Sequence, residues 1–323
     1  MNLLPRLLLA FVAAAILMPG EQSQAQTFPA GPVKVLIGFP AGGPPDLMLR
    51  RMATRLGDRL GTSVIVENRP GASGTIAANS VARAAPDGQT LLFGVAANLA
   101  VAPATMKNPP YDPVTAFTPI VEVARGPYVW LVRSDAPARN MGEFVAWAKG
   151  SPGKLNYASP GIGSVHHLAT EMLSRAAGLE LVHVPYRTGL YAPLLAGEVQ
   201  AMFESLPGPL PYVESGKLRA LGVTGPKRLA RLPDIPTLAE QGLAGMDANS
   251  WWGFVGPAGL PSAVVARLNT ETRLILDQPE MKSLLAGWGI EASSGSPEAF
   301  AAAIAEESAR WKATVQRLGV PLE

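Results

Sequence analysis

The sequence predicts an α/β protein of two lobes, the second inserted in the first, with a ligand cleft between them. Three observations lead there. β-branched runs alternate with helical periodicity from residue 33 onward, the alternation restarts at Tyr128, and the chain after Val255 is almost wholly helical. A late block of helices without strands of its own must cover a sheet made earlier, so the C-terminus returns to the first lobe. The 323 residues suit two lobes of ordinary size, and 48% hydrophobic residues argue for a packed globule.

In order, residues 33–39 read as a strand, 46–60 as a helix and 63–67 as a strand. A turn through Asn68, Arg69, Pro70, Gly71, Ala72, Ser73 and Gly74 opens a helix to Ala85, and residues 90–95 form the third strand. The second series has strands at 128–133, 155–158, 181–184, 199–203 and 218–224, with helices between them. The closing helices are expected at 262–276, 279–288 and 297–318, because Pro261, Pro279 and Pro297 stand where a missing N–H costs least. Crossings near Ala124 and Asn249 then give the first lobe residues 26–124 and 249–323, and the second lobe residues 125–248. Trp251 and Trp252 alternate in direction on a strand, one expected in the core and the other at the hinge.

Residues 1–25 read as a secretory signal peptide. Arg6 precedes an apolar run over 7–18, Pro19 and Gly20 end it, and Ser23 and Ala25 supply the small residues before a cut at Gln26. The run is shorter than the roughly twenty residues that span a bilayer. The mature chain is therefore expected free in the periplasm, not inserted in the membrane, and monomeric. With no cysteine, lipid anchoring, disulfides, thiolate metal sites and cysteine nucleophiles are all excluded. Three histidines leave little for a metal, and no metal, cofactor or catalytic residue is expected. Lys and Arg total 27 against 25 Asp and Glu, and this scattered excess gives no footprint for nucleic acid.

Two loops carry the candidate chemistry. The first holds Phe39, Ala41, Gly42, Gly43 and Asp46 between a strand and a helix, where backbone N–H groups and the helix dipole favour a carboxylate or phosphate. Asp46 is expected as the N-cap. The second holds Ser159, Gly161, Gly163, Ser164, His166 and His167, with Ser164 as N-cap and the Ser159 hydroxyl free for an anion. Ordinary βα loops with capping residues would look the same. If both loops are functional, they grip one small anion from two sides. Tyr186 and Arg187 follow another second-lobe strand, and Arg187 suits a second carboxylate or a structural ion pair. Glu204, also at a strand's carboxyl end, is placed to cap a helix or repel wrong anions. A Ser164–His167 hydrolase is the enzymatic alternative, although Gly-x-Ser-x-Gly is absent.

Taken in order, these blocks resemble the Bug family, the extracytoplasmic receptors of tripartite tricarboxylate transporters. The resemblance rests on Phe39-Pro40-Ala41-Gly42-Gly43 with Asp46, on Glu67 through Gly74 and on Pro86-Asp87-Gly88. It continues with Tyr111-Asp112-Pro113, Gly163-Ser164 with His167, Val184-Pro185-Tyr186-Arg187, Pro236-Thr237-Leu238-Ala239-Glu240 and Trp252-Gly253. It implies a type II periplasmic-binding-protein fold closing on a small carboxylate, no cofactor, and the transporter's two membrane subunits as partners. A signalling co-receptor docked on a sensor kinase would share the same fold and pocket. The resemblance also brings Ala97 to the cleft. Pro44-Pro45, Ala102 and the chain shortened after Arg187 depart from the family pattern, and predict a ligand with an apolar or aromatic body rather than a polyacid.

Overall fold

The computed structural model describes residues 28–186 and 189–322; the expected signal peptide lies outside them. The first strand, β1 (Val33–Ile37), is followed by α1 (Pro44–Leu60), β2 (Val64–Asn68), α2 (Thr75–Ala82) and β3 (Thr90–Val95). β1 pairs in parallel with both β2 and β3. All three strands therefore point their carboxyl ends, and the loops that follow, in one direction. Val33, Val35 and Ile37 are fully buried beneath Met48, Leu49 and Met52 of α1, each apolar side chain contributing roughly 2 kcal/mol.

A π-turn (Ala97–Val101) and a single helical turn, α3 (Ala102–Thr105), then lead to β4 (Phe117–Arg133). β4 is one strand of 17 residues, whereas its pattern suggests a strand only from Tyr128. Pro119, Gly126 and Pro127 interrupt the β-branched run, and register shifts at Pro119/Val121 and Glu122/Ala124 absorb the irregularity. Next come α4 (Met141–Lys149), β5 (Leu155–Ser159), α5 (Val165–Ala177), β6 (Leu181–Pro185), α6 (Tyr191–Ala196), β7 (Ala201–Ser205), α7 (Leu210–Glu214) and β8 (Leu218–Val223). β5 lies parallel to β6 and β7, so the second lobe also collects its loops at carboxyl ends.

The chain returns through β9 (Asn249–Pro257), then α8 (Ser262–Leu276), α9 (Pro279–Gly287), the short β10 (Glu291–Ala292) and α10 (Pro297–Leu318). The bounds of α8 and α10 are those the proline positions predict. The strand order is β2-β1-β3-β9-β4-β7-β5-β6, with β8 and β10 also on β4. β4 is thus shared: its first part pairs with β9 and β10, its last with β7 and β8. β9 pairs antiparallel with β3 and then accompanies β4 as far as Pro127 opposite Asn249.

Both tryptophans of β9 are core residues, on opposite faces. Trp251 packs with Phe300 of α10, and Trp252 faces Trp288 on the other side, both opposite the β4 residues Arg125 and Ala124. α10 also ties the lobes together: Arg175 of α5 donates to the carbonyls of Arg317 and Leu318 at 2.7 Å. Among the described residues no helix is long and apolar enough to cross a membrane.

Candidate functional site

At the first-lobe loop the helix starts two residues earlier than predicted. Gly43 is the N-cap and Pro44-Pro45 fill the first positions, so Asp46 is not the cap but stands in the first turn. Two prolines remove two of the amides that a helix start otherwise presents. Asp46 is 1% exposed and organises the loop from within. Its Oδ2 accepts the Gly42 N–H and Arg50 Nε, both at 2.9 Å, and its Oδ1 accepts Asn68 Nδ2 at 2.8 Å. The same Asn68 amide donates to the Phe39 carbonyl at 3.0 Å, and Arg50 donates to Asn68 Oδ1 at 2.8 Å. Burial pushes the Asp46 carboxyl up, but the donors Arg50, Gly42 and Asn68 outweigh it and hold the group below its ordinary value. Phe39 is half-buried above this network, while Ala41 and Gly42 are exposed.

The loops after β2 and β3 close on the first. Gly38 lies so near Gly74 that a Cβ would fall inside the Gly74 backbone. Asn98 in the π-turn is fully buried, accepts the Val95 N–H at 2.9 Å and donates to the Gly74 carbonyl at 3.4 Å. Ala97, just before it, is half-buried at the end of β3. Three parallel-strand loops therefore form one floor, where α/β sheets bind ligands.

In the second lobe Ser164 caps α5 as predicted, its Oγ accepting the His167 N–H at 3.2 Å and donating to the Gly161 carbonyl at 2.7 Å. The Ser159 hydroxyl is not free: it is buried, accepts the Gly161 N–H at 3.1 Å and meets His183 Nε2 at 2.6 Å. His167 Nδ1 accepts the Gly163 N–H at 3.1 Å. Ser164 and His167 thus share a backbone cap, with no described bond from the hydroxyl to the imidazole, and the hydrolase geometry is missing. The helix start leaves the Val165 and His166 N–H groups without intrahelical partners. Behind the loop, Tyr157, His183 and His167 stack, the two imidazoles 4.3 Å apart between centroids. Burial, then the neighbouring His167, lowers His183 to about 4, so the stack is neutral at pH 7.

The two loops meet. Gly163 has φ +70°, and a Cβ there would lie 2.7 Å from Thr105 Oγ1 at the end of α3. His166 pairs with Glu204 at 3.2 Å beneath the edge of the Tyr128 ring. Burial raises the Glu204 carboxyl, but the His166 charge and the donors His166 and Ser205 overcome it and keep the group ionised. Tyr186 donates its N–H to the Ser159 carbonyl at 2.8 Å, and its phenol bonds Glu198. Arg187 lies outside the described residues. Asn68, Asn98, Thr105 and His183, which complete these loops, were not among the sequence candidates; Asn68 alone had a local signal, as the opening residue of a turn.

Among the described residues no group of three or more His, Asp or Glu is arranged to hold a metal ion. The model of the tripartite tricarboxylate transporter family receptor matches residues 48–320. The chain belongs to this receptor family. Within it, a UPF0065 protein of Bordetella pertussis is 35% identical over 317 residues, covering 97% of this chain and 98% of the relative. The receptor fold also matches solved structures. The periplasmic binding protein BugD has a TM-score of 0.82 at 35% identity, over 91% of this chain and 99% of that one. A Rhodopseudomonas palustris protein with adipate has 0.85 at 32%, over 91% and 99%. MatC of the same organism, with bound malate, has 0.82 at 32%, over 89% and 100%. This receptor therefore has the two-lobed fold of periplasmic binding proteins, as its shared strand and parallel half-sheets imply.

Proposed function

We propose that this receptor captures a small organic carboxylate between the loops at 41–46 and 159–164 and carries it, as a monomer in the periplasm, to the membrane subunits of its transporter. The observation that carries the reading is that each parallel half-sheet presents a glycine-containing loop and a helix start at its strand carboxyl ends, at 41–46 and at 159–164. The unbonded amides of Val165 and His166 suit one carboxylate group. Adipate and malate on the relatives support the same ligand class. The lobes are residues 26–124 with 249–323, and 125–248, behind a signal peptide cleaved after Ala25.

The ligand has an apolar or aromatic body rather than that of a polyacid. Pro44-Pro45 leave the first loop short of backbone donors for further carboxylates. Thermal unfolding of the mature chain against mono-, di- and tricarboxylates, aromatic acids and their neutral amides tests this. Ligand at about 100 times its dissociation constant adds about 2.7 kcal/mol, a rise of a few degrees. An acid that stabilises while its amide does not supports capture of a carboxylate. Tighter binding of a tricarboxylate than of every aryl or alkyl monocarboxylate overturns the apolar body, and a flat panel overturns the carboxylate.

A further inference from the structure

A cavity of about 700 Å³ lies at the hinge, and none of the cleft residues lines it. Its walls come from the strand crossing at Gly126-Pro127, from the segment between β8 and β9, and from α9 and β10, so both lobes contribute. Inside, the surface is formed by Leu229, Leu238, Leu243, Met246 and Ile290.

The charges at its edge are all engaged. Lys227 pairs with Glu291 at 2.6 Å, Arg228 with Glu240 at 3.0 Å, and Asp247 with Arg310 at 3.5 Å. Arg125 is held by Glu122 at 2.8 Å and Glu307 at 2.9 Å. The two polar side chains on the wall are also satisfied: Thr224 donates to the Ala248 carbonyl and Asn249 to Asp247, each at 2.6 Å. None of the buried polar side-chain atoms that lack a partner belongs to this wall. An ion entering would lose its hydration and find every counter-charge already used. An apolar body would gain in proportion to the area it removes from water. The volume is that of sites which enclose drug-sized molecules.

We infer that the hinge cavity is a second binding site, taking a small uncharged apolar molecule of about two or three rings. It is independent of the carboxylate cleft and does not require the transport reading.

The test is fluorescence titration of the purified protein with N-phenyl-1-naphthylamine, a neutral dye that brightens in apolar surroundings. Ala239 and Ala286 are exposed alanines on the wall, so Ala239→Trp and Ala286→Trp fill the cavity without touching the core. The expected result is saturable one-to-one brightening, weakened at least tenfold in each variant while its circular dichroism and Tm stay unchanged. The anionic analogue 8-anilino-1-naphthalenesulfonate is expected to bind at least tenfold more weakly than the neutral dye. Three outcomes overturn the proposal: no saturable brightening, undiminished binding in folded filled variants, or equal binding of the anionic dye. Should one variant fail to fold, the other decides.

Discussion

Replacing Asp46 by asparagine isolates the contact that shapes the first loop. The side chain keeps its size but loses its charge and turns one acceptor into a donor. In one orientation the new NH2 group faces the Gly42 N–H and Arg50 Nε, which now stand 2.9 Å from an oxygen; in the other it faces Asn68 Nδ2, now at 2.8 Å. Each charged hydrogen bond contributes about 1.5–3 kcal/mol, and Arg50 is exposed enough to recover water, so a net loss of about 2 kcal/mol follows. Unfolding entropy of about 2.1 cal/mol/K per residue over about 300 residues converts this to a fall in Tm of about 3 °C. The folded carboxyl sits below its ordinary 3.8, so its stabilisation is complete well above that value and disappears as pH falls through the folded one. Thermal and guanidinium unfolding at pH 7 should therefore separate Asp46→Asn from wild type, and the gap should close below pH 3.8. A Tm change under about 1 °C at pH 7, or a gap that persists in acid, refutes the assignment of Asp46 as the loop's internal brace.

His183 titrates near 4 when folded and near 6.5 when unfolded, so the unfolded chain binds the extra proton between these values and stability rises with pH across that window. Halved for solvent screening, the gain is about 1.5 kcal/mol, and urea unfolding at both pH limits should show it shrink in His183→Gln. Arg125→Met leaves Glu122 and Glu307, 7% and 6% exposed, without their main cation. A loss of about 3 kcal/mol in unfolding free energy is expected from urea titration; a loss under about 1 kcal/mol would show that Arg310, 3.7 Å from Glu307, compensates. Gly163→Ala meets both a left-handed backbone and Thr105, costing about 2 kcal/mol or more. A double-mutant cycle with Thr105→Ala should recover part of it, with a coupling of at least about 0.5 kcal/mol.

Local signals were readable and distant ones were not. The bounds of α8 and α10 and the Ser164 cap follow from residues within one helical turn: a proline at the start, a serine before the first apolar position. The first half of β4 escaped because Pro119 and Pro127 carry the punctuation of a loop, while the partner that makes it a strand, β9, lies more than a hundred residues away. Asp46 reads locally as a cap because two consecutive prolines inside the helix start disguise the true first turn. Ser159 was expected free because its partner His183 comes from the neighbouring strand 24 residues on, a pairing that only the parallel β5–β6 register creates. Chemistry set by sequence neighbours is legible; chemistry set by strand neighbours is not.

The ladder joining β4 and β9 runs from Phe117 opposite Pro257 to Pro127 opposite Asn249, straight through the passage between lobes. A pair of hydrogen-bonded strands behaves as a leaf spring: it twists and bows easily but does not fold sharply without breaking rungs. Motion of one lobe against the other is then spread over many dihedrals, each moving a little. Because side chains alternate between faces, inserting a single residue into either strand would turn the following core residues to the wrong face, so the length of this ribbon is fixed by the packing on both of its sides.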